Sequence, residues 1–130
     1  NPDENIKIND LNIITGNTKH TENSISFKIT DSLKSIFYTG DTDYSKDLIL
    51  SGKNSDLVLM ECSFPDKNKL SNHLTPTECG KLANFMNCKK LILTHFFPIN
   101  EGNNELIINT VKKYYKGELI LASDGNTYIP

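Results

Sequence analysis

The stretch SNHLTPTECGKLANFM, residues 71–86, lies between two apolar runs, DLVLMEC at 56–62 and KKLILTH at 89–95. No other feature constrains the fold as strongly. Thr75 stands as an N-cap, Pro76 at the first helical position, and Glu78 where a capping box needs a carboxylate. Cys79, Leu82, Ala83 and Met86 then recur at i, i+3, i+4 and i+7, which makes one apolar stripe. DLVLMEC is a continuous apolar run, the pattern of a strand buried on both faces. A strand, a helix and a strand in that order form a crossover, and crossovers join parallel neighbours.

The remainder extends this frame. IKIND and LNIIT are short strand candidates broken by Asn and Asp. SISFKIT at 24–30 alternates Ile25, Phe27 and Ile29, so it buries one face, and SIFYTG at 35–40 is a dense β-forming run, with a turn expected at 31–34. A short helix is expected over 43–50, ending at Ser51-Gly52. A further helix over 104–115 would bury Ile107, Ile108, Val111 and Tyr115 and stop before Gly117. ELILAS and NTYIP read as two closing strands around Asp124-Gly125-Asn126. The sum is an α/β domain with a mixed sheet and helices on one face.

The 130 residues suit one domain, and a composition 37% hydrophobic and 23% charged is that of a globular chain. No apolar run approaches the roughly 20 residues that cross a bilayer. A net charge of -2 without a basic stripe argues against nucleic-acid binding by counterion release alone, though not against a nuclease whose affinity comes from metals. Cys62, Cys79 and Cys88 are odd in number and irregularly spaced, which fits free thiols in a reducing, cytoplasmic compartment. The chain opens on NPDENIKIND without methionine, so it reads as processed, trimmed or fragmentary, and a signal peptide upstream stays open.

The three histidines all stand at the edges of predicted elements. His20 precedes a strand, His73 precedes the capped helix, and His95 ends KLILTH. Two acids share the habit, Asp41 after SIFYTG and Glu61 at the end of DLVLME. Strand ends are where α/β sheets present reactive groups. Each residue also has a plain structural reading: Asp41 as a helix cap, His73 and His20 as solvated loop residues, His95 as a hydrogen-bonded core histidine, Glu61 as a charge at a strand mouth. The cysteines read as small apolar fillers.

As an ordered set, HTENSISFKI, YTGDT, NHLTPTECGKLA, LILTHF and LASDG resemble the C-terminal half of the metallo-β-lactamase superfamily, and within it the ribonuclease Z and phosphodiesterase branch. The resemblance runs from about residue 18 to 124. It implies an αββα sandwich of which this chain is one half, a single partial domain over 1–130. It implies that His20, Asp41 and His95 are metal ligands, with Asp41 bridging two divalent ions, zinc first and manganese or iron as alternatives. It further implies that His73 binds or protonates a scissile phosphate and that Glu61 orients it, so His73, Glu61 and Asp41 are the catalytic candidates.

The family's HxHxDH motif is absent from these residues. Each ion would then have two protein ligands, short of the three plus water usual in a catalytic zinc site. The resemblance therefore implies a metal-dependent phosphodiesterase when complete and an inactive half when alone. Hydrolysis of another ester, thioester or lactone, or a non-catalytic scaffold, stands as the alternative. It also implies an exposed apolar sheet face that needs a cover. Three arrangements are open: a fragment of a longer enzyme, a cleaved enzyme whose halves stay associated, and a self-paired half.

Overall fold

The structure is a computed structural model and describes residues 2–130. Among these residues seven strands form one sheet in chain order. β1 (Asn5–Ile8), β2 (Leu11–Asn17), β3 (Ile25–Thr30) and β4 (Ser35–Tyr38) are joined as antiparallel neighbours. β5 (Leu57–Glu61), β6 (Lys90–Thr94) and β7 (Glu118–Leu121) continue from β4 in parallel. The connections explain the switch. Turns and one loop, without helices, link the first four strands, and Asp31 closes the last of these by accepting the Leu33 and Lys34 amides at 2.6 Å each. Helices α1 (Lys46–Gly52), α2 (Pro76–Met86) and α3 (Asn104–Lys112) provide the crossovers between the last four.

The helices cover one face. Phe37, Val58, Met60, Leu91 and Leu93 point from alternate strand positions into a core shared with Leu48, Leu82, Met86 and Val111. The capping box of α2 is formed, with the Thr75 amide donating to Glu78 Oε2 at 3.0 Å. Its stripe of Cys79, Leu82, Ala83 and Met86 is fully buried. Gly80 lets α3 approach, since a Cβ there would lie 2.8 Å from the Val111 carbonyl oxygen. Cys62, Cys79 and Cys88 are buried free thiols, and burial pushes the Cys79 thiol well above its ordinary range and the Cys88 thiol up to about 11. All three pack as small apolar groups, and the raised pKa values make Cys79 and Cys88 poor nucleophiles.

Three sequence expectations need correction. α1 starts at Lys46, with Ser45 Oγ accepting the Asp47 amide, because Asp43 is engaged elsewhere. Ile108 is exposed, since the buried side of α3 passes through Ile107, Thr110 and Val111. NTYIP is not a strand: the Ser123 amide donates to the Tyr128 hydroxyl at 3.0 Å instead of to a strand backbone, and no ladder starts. The tail turns under the sheet, where Lys90 Nζ donates to the Ile129 carbonyl at 2.8 Å and Tyr128 shares a cleft with Leu59. On this second face Leu57 and Ile92 are buried, whereas Ile6, Ile8, Leu11 and Tyr38 remain exposed on the antiparallel and adjoining strands.

Candidate metal centre

The C-terminal ends of β4, β5 and β6 open on one side of the sheet, and the residues that follow them meet there. β4 runs into Thr39, whose amide donates to the Leu59 carbonyl at 3.1 Å, and then into Gly40 at φ +62°. Only glycine takes that backbone without cost here, because a Cβ would sit 2.8 Å from the Ile25 carbonyl oxygen. The turn delivers Asp41. The next two residues secure the segment that carries His20: the Lys19 amide donates to Thr42 Oγ1 at 3.0 Å, and the Asp43 amide donates to the Lys19 carbonyl at 2.8 Å.

β5 ends on Glu61, 1% exposed. Its oxygens accept the Thr42 amide at 2.6 Å, the Ser63 hydroxyl at 2.5 Å, the Leu74 amide at 3.2 Å and His73 Nδ1 at 3.2 Å. A buried carboxylate needs such company, because an unpaired charge in the interior is prohibitive. Glu61 therefore fixes three neighbouring segments at once. His73 follows Asn72, a left-handed residue at φ +70°. With Nδ1 on Glu61, its Nε2 edge is turned away from that carboxylate.

β6 ends on Thr94, and His95 itself is left-handed at φ +59°. A non-glycine residue there is uncommon, though histidine tolerates it better than most. The strand cannot continue through such a residue, and the imidazole swings toward the ends of β4 and β5. Ser63 Oγ lies 2.8 Å from His95 Nδ1. The single hydroxyl proton goes to Glu61, so Ser63 accepts from His95 Nδ1–H, and the tautomer assigned by this network leaves the Nε2 lone pair free. That Nε2 stands 3.5 Å from Asp41 Oδ2. Two ligands each about 2.0–2.1 Å from a tetrahedral zinc are about 3.4 Å apart, so this pair fits a shared ion.

The four candidates nearest the opening thus form a chain of neighbours. His20 and His73 have ring centroids 5.1 Å apart, His73 and His95 5.7 Å apart, and His95 meets Asp41. Phe64 and Phe97, 4.5 Å from each other, stand 5.6 and 5.8 Å from the His73 ring and wall its side of the site. Glu61, His73 and His95 also bring one donor atom each within 4.8 Å of one another. Because every oxygen of Glu61 already accepts from backbone or side-chain donors, that trio is a hydrogen-bonded support and not an ion cage. Outside that support, Asp41, with a side chain 32% exposed, and His95 Nε2 face each other, and His20 lies beyond the His73 ring.

Sequence reasoning missed Ser63, the hydroxyl between Glu61 and His95. The available signal was its place two residues after Glu61, the same side of an extended chain. It also missed Asp43 and Lys69, which meet at 2.6 Å beside the His73 loop; nothing in their spacing announces that contact.

The Beta-lactamase superfamily domain matches residues 2–96. The chain is 28% identical over 126 residues to "Probable metallo-hydrolase YhfI" of Bacillus subtilis, covering 95% of this chain and 51% of that protein. The crystal structure of YhfI superposes with a TM-score of 0.87 over 97% of this chain and 52% of the other, at 26% identity. The ribonuclease Z of Archaeoglobus fulgidus is 29% identical over 91 residues, 67% of this chain and 30% of the enzyme. Human tRNase Z, short form, shares the fold with a TM-score of 0.72 over 96% of this chain and 44% of that one, at 21% identity. The chain spans about half or less of the length of these relatives. The matched residues are well over half of the chain and carry the strand ends described above, and the chain belongs to the metallo-β-lactamase superfamily of metallo-hydrolases.

Proposed function

We propose that this chain is the C-terminal half of a metal-dependent phosphodiesterase. The observation that carries the reading is the joint placement of two pairs: Asp41 with His95 Nε2 at 3.5 Å, and His73 with the buried Glu61 at 3.2 Å. The first pair is suited to holding a cation and the second to working an imidazole. The relatives that include ribonuclease Z favour a phosphodiester among the esters such a site can cleave.

His20, Asp41 and His95 are the residues of this half that would hold a divalent cation. Imidazole and carboxylate donors suit zinc, with manganese or iron as alternatives. When bound, a divalent pair supplies Lewis acidity and lowers the pKa of water at the site. The protein's own groups do the rest. Glu61 holds His73 by Nδ1, so that Nε2 is left to hold a phosphate oxygen or give a proton to the departing one. Ser63 holds His95 in the tautomer that leaves Nε2 bare. Phe64 and Phe97 exclude water from one side of His73.

The remaining ligands come, in this reading, from a second layer packed on the exposed sheet face. Ile6, Ile8 and Leu11 are 40%, 52% and 41% exposed there, which is costly for a contiguous apolar surface. The chain by itself is then a weak metal binder without activity. The three free buried thiols fit a reducing cytoplasm. The test is hydrolysis by the intact, metal-reconstituted protein of bis-p-nitrophenyl phosphate against a thioester and a lactone. Cleavage of the phosphodiester supports the assignment, and cleavage of only the other two overturns it.

A further inference from the structure

His73 sits in the loop between β5 and α2, and loops of this kind move unless tied. Its base is closed by the Ser63 and Phe64 amides, which donate to the Leu74 carbonyl at 3.1 and 3.4 Å. Its far side is held by one ammonium. Lys69 Nζ donates to Asp43 Oδ1 at 2.6 Å, to Glu78 Oε2 at 2.7 Å and to the His73 carbonyl at 2.5 Å. Three acceptors consume the three protons an ammonium has.

The acceptors belong to three different segments. Asp43 lies two residues beyond Asp41, and its other oxygen accepts the Asn72 amide at 3.2 Å. Glu78 is the capping-box residue of α2. The third acceptor is the peptide of His73 itself. We propose that Lys69 is a positioning residue that locks His73 to the Asp41 segment and to the start of α2, so that the imidazole and the metal-facing carboxylate keep a fixed separation. The proposal rests on the reading that His73 acts on the substrate.

The electrostatics agree with the geometry. Burial alone would lower the Lys69 pKa, yet hydrogen bonds to Asp43 and Glu78 hold it above its ordinary value. Lys69 therefore stays charged at neutral pH. Without Lys69, two carboxylates would face each other across the His73 peptide, and the loop would have a reason to open.

The test uses the intact metal-loaded protein and bis-p-nitrophenyl phosphate, with Lys69→Met, His73→Ala and the double variant. Displacement of a reacting group by about 1 Å costs up to about 100-fold in rate. Lys69→Met is expected to lower kcat about 10- to 100-fold while KM and bound-metal stoichiometry stay as in the wild type. On the His73→Ala background it should cost nothing further. Losses that multiply in the double variant would overturn the proposal. Amide hydrogen exchange at residues 70–74 is a readout independent of activity: it should rise in Lys69→Met, and in Asp43→Asn if Lys69→Met folds poorly. Unchanged exchange would overturn the lock. If His73→Ala keeps full kcat, the catalytic reading fails, and the exchange result alone decides whether Lys69 fixes the loop.

Discussion

Replacing Glu61 by glutamine changes a single heavy atom and removes one charge. The effect on stability can be worked from the contacts. Oε1 accepts the Thr42 amide, and Oε2 accepts the Ser63 hydroxyl and the Leu74 amide. Whichever position the new NH2 takes, it faces a backbone N–H that cannot rotate away, either Thr42 or Leu74. One charge-assisted hydrogen bond is then lost, about 1.5–3 kcal/mol, and a buried donor is left without an acceptor, about 1–3 kcal/mol. His73 loses its ionised partner as well. The expected destabilisation is about 3–5 kcal/mol, against a total of about 5–15 kcal/mol for a typical domain. Urea unfolding of the intact protein, followed through midpoint and slope, measures it. A loss below about 1 kcal/mol would refute the reasoning, because it would mean that Glu61 is not the ionised acceptor of four donors.

Three further outcomes follow from individual contacts. Ser63→Ala removes the hydroxyl that holds His95 Nδ1 and is expected to weaken zinc binding about 10- to 100-fold, read by competition with a chelator; unchanged affinity would contradict the tautomer assignment. Gly40→Ala places a Cβ 2.8 Å from the Ile25 carbonyl at φ +62° and should cost at least about 1–2 kcal/mol, visible as a lower thermal midpoint. The Asp56 carboxyl is held at about 2 by hydrogen bonds from Lys89 and then Ser35, below its ordinary 3.8. A depressed carboxylate stabilises the fold above its unfolded pKa and ceases to do so as pH falls through the folded one. The midpoint of the wild type should therefore drop between about pH 4 and pH 2, and Asp56→Asn should show a shallower acid limb.

Periodicity carried much of the architecture. The α2 stripe, its capping box and the two apolar runs beside it are local patterns, and local patterns survive folding when the core agrees with them. Ile25, Phe27 and Ile29 do share one face, but it is the face away from the helices, where they are half-buried, while Ser26 is the fully buried residue of β3. NTYIP failed because Tyr128 uses its hydroxyl to intercept the Ser123 amide, a side-chain contact that no strand propensity encodes. The start of α1 was misplaced because Asp43, a good capping residue by type, is taken by Lys69. In the site, His20, Asp41, Glu61, His73 and His95 were visible as polar residues at the ends of elements. Their support was not visible. Ser63 matters through a residue 32 positions away and Lys69 through one 26 positions away, and such wiring is written in the tertiary structure alone. The left-handed backbone at His95 is of the same kind: the Phe-Phe-Pro that follows signals a stop, but not that the histidine itself makes the turn.

The account depends on Asp41 and His95 sharing an ion. Anomalous diffraction at the zinc edge from crystals of the intact metal-loaded protein tests this directly. The prediction is a peak about 2.0–2.2 Å from both His95 Nε2 and an Asp41 oxygen, with Glu61 outside bonding range and still hydrogen-bonded to His73. A peak on Glu61, or none beside Asp41 and His95, would contradict it.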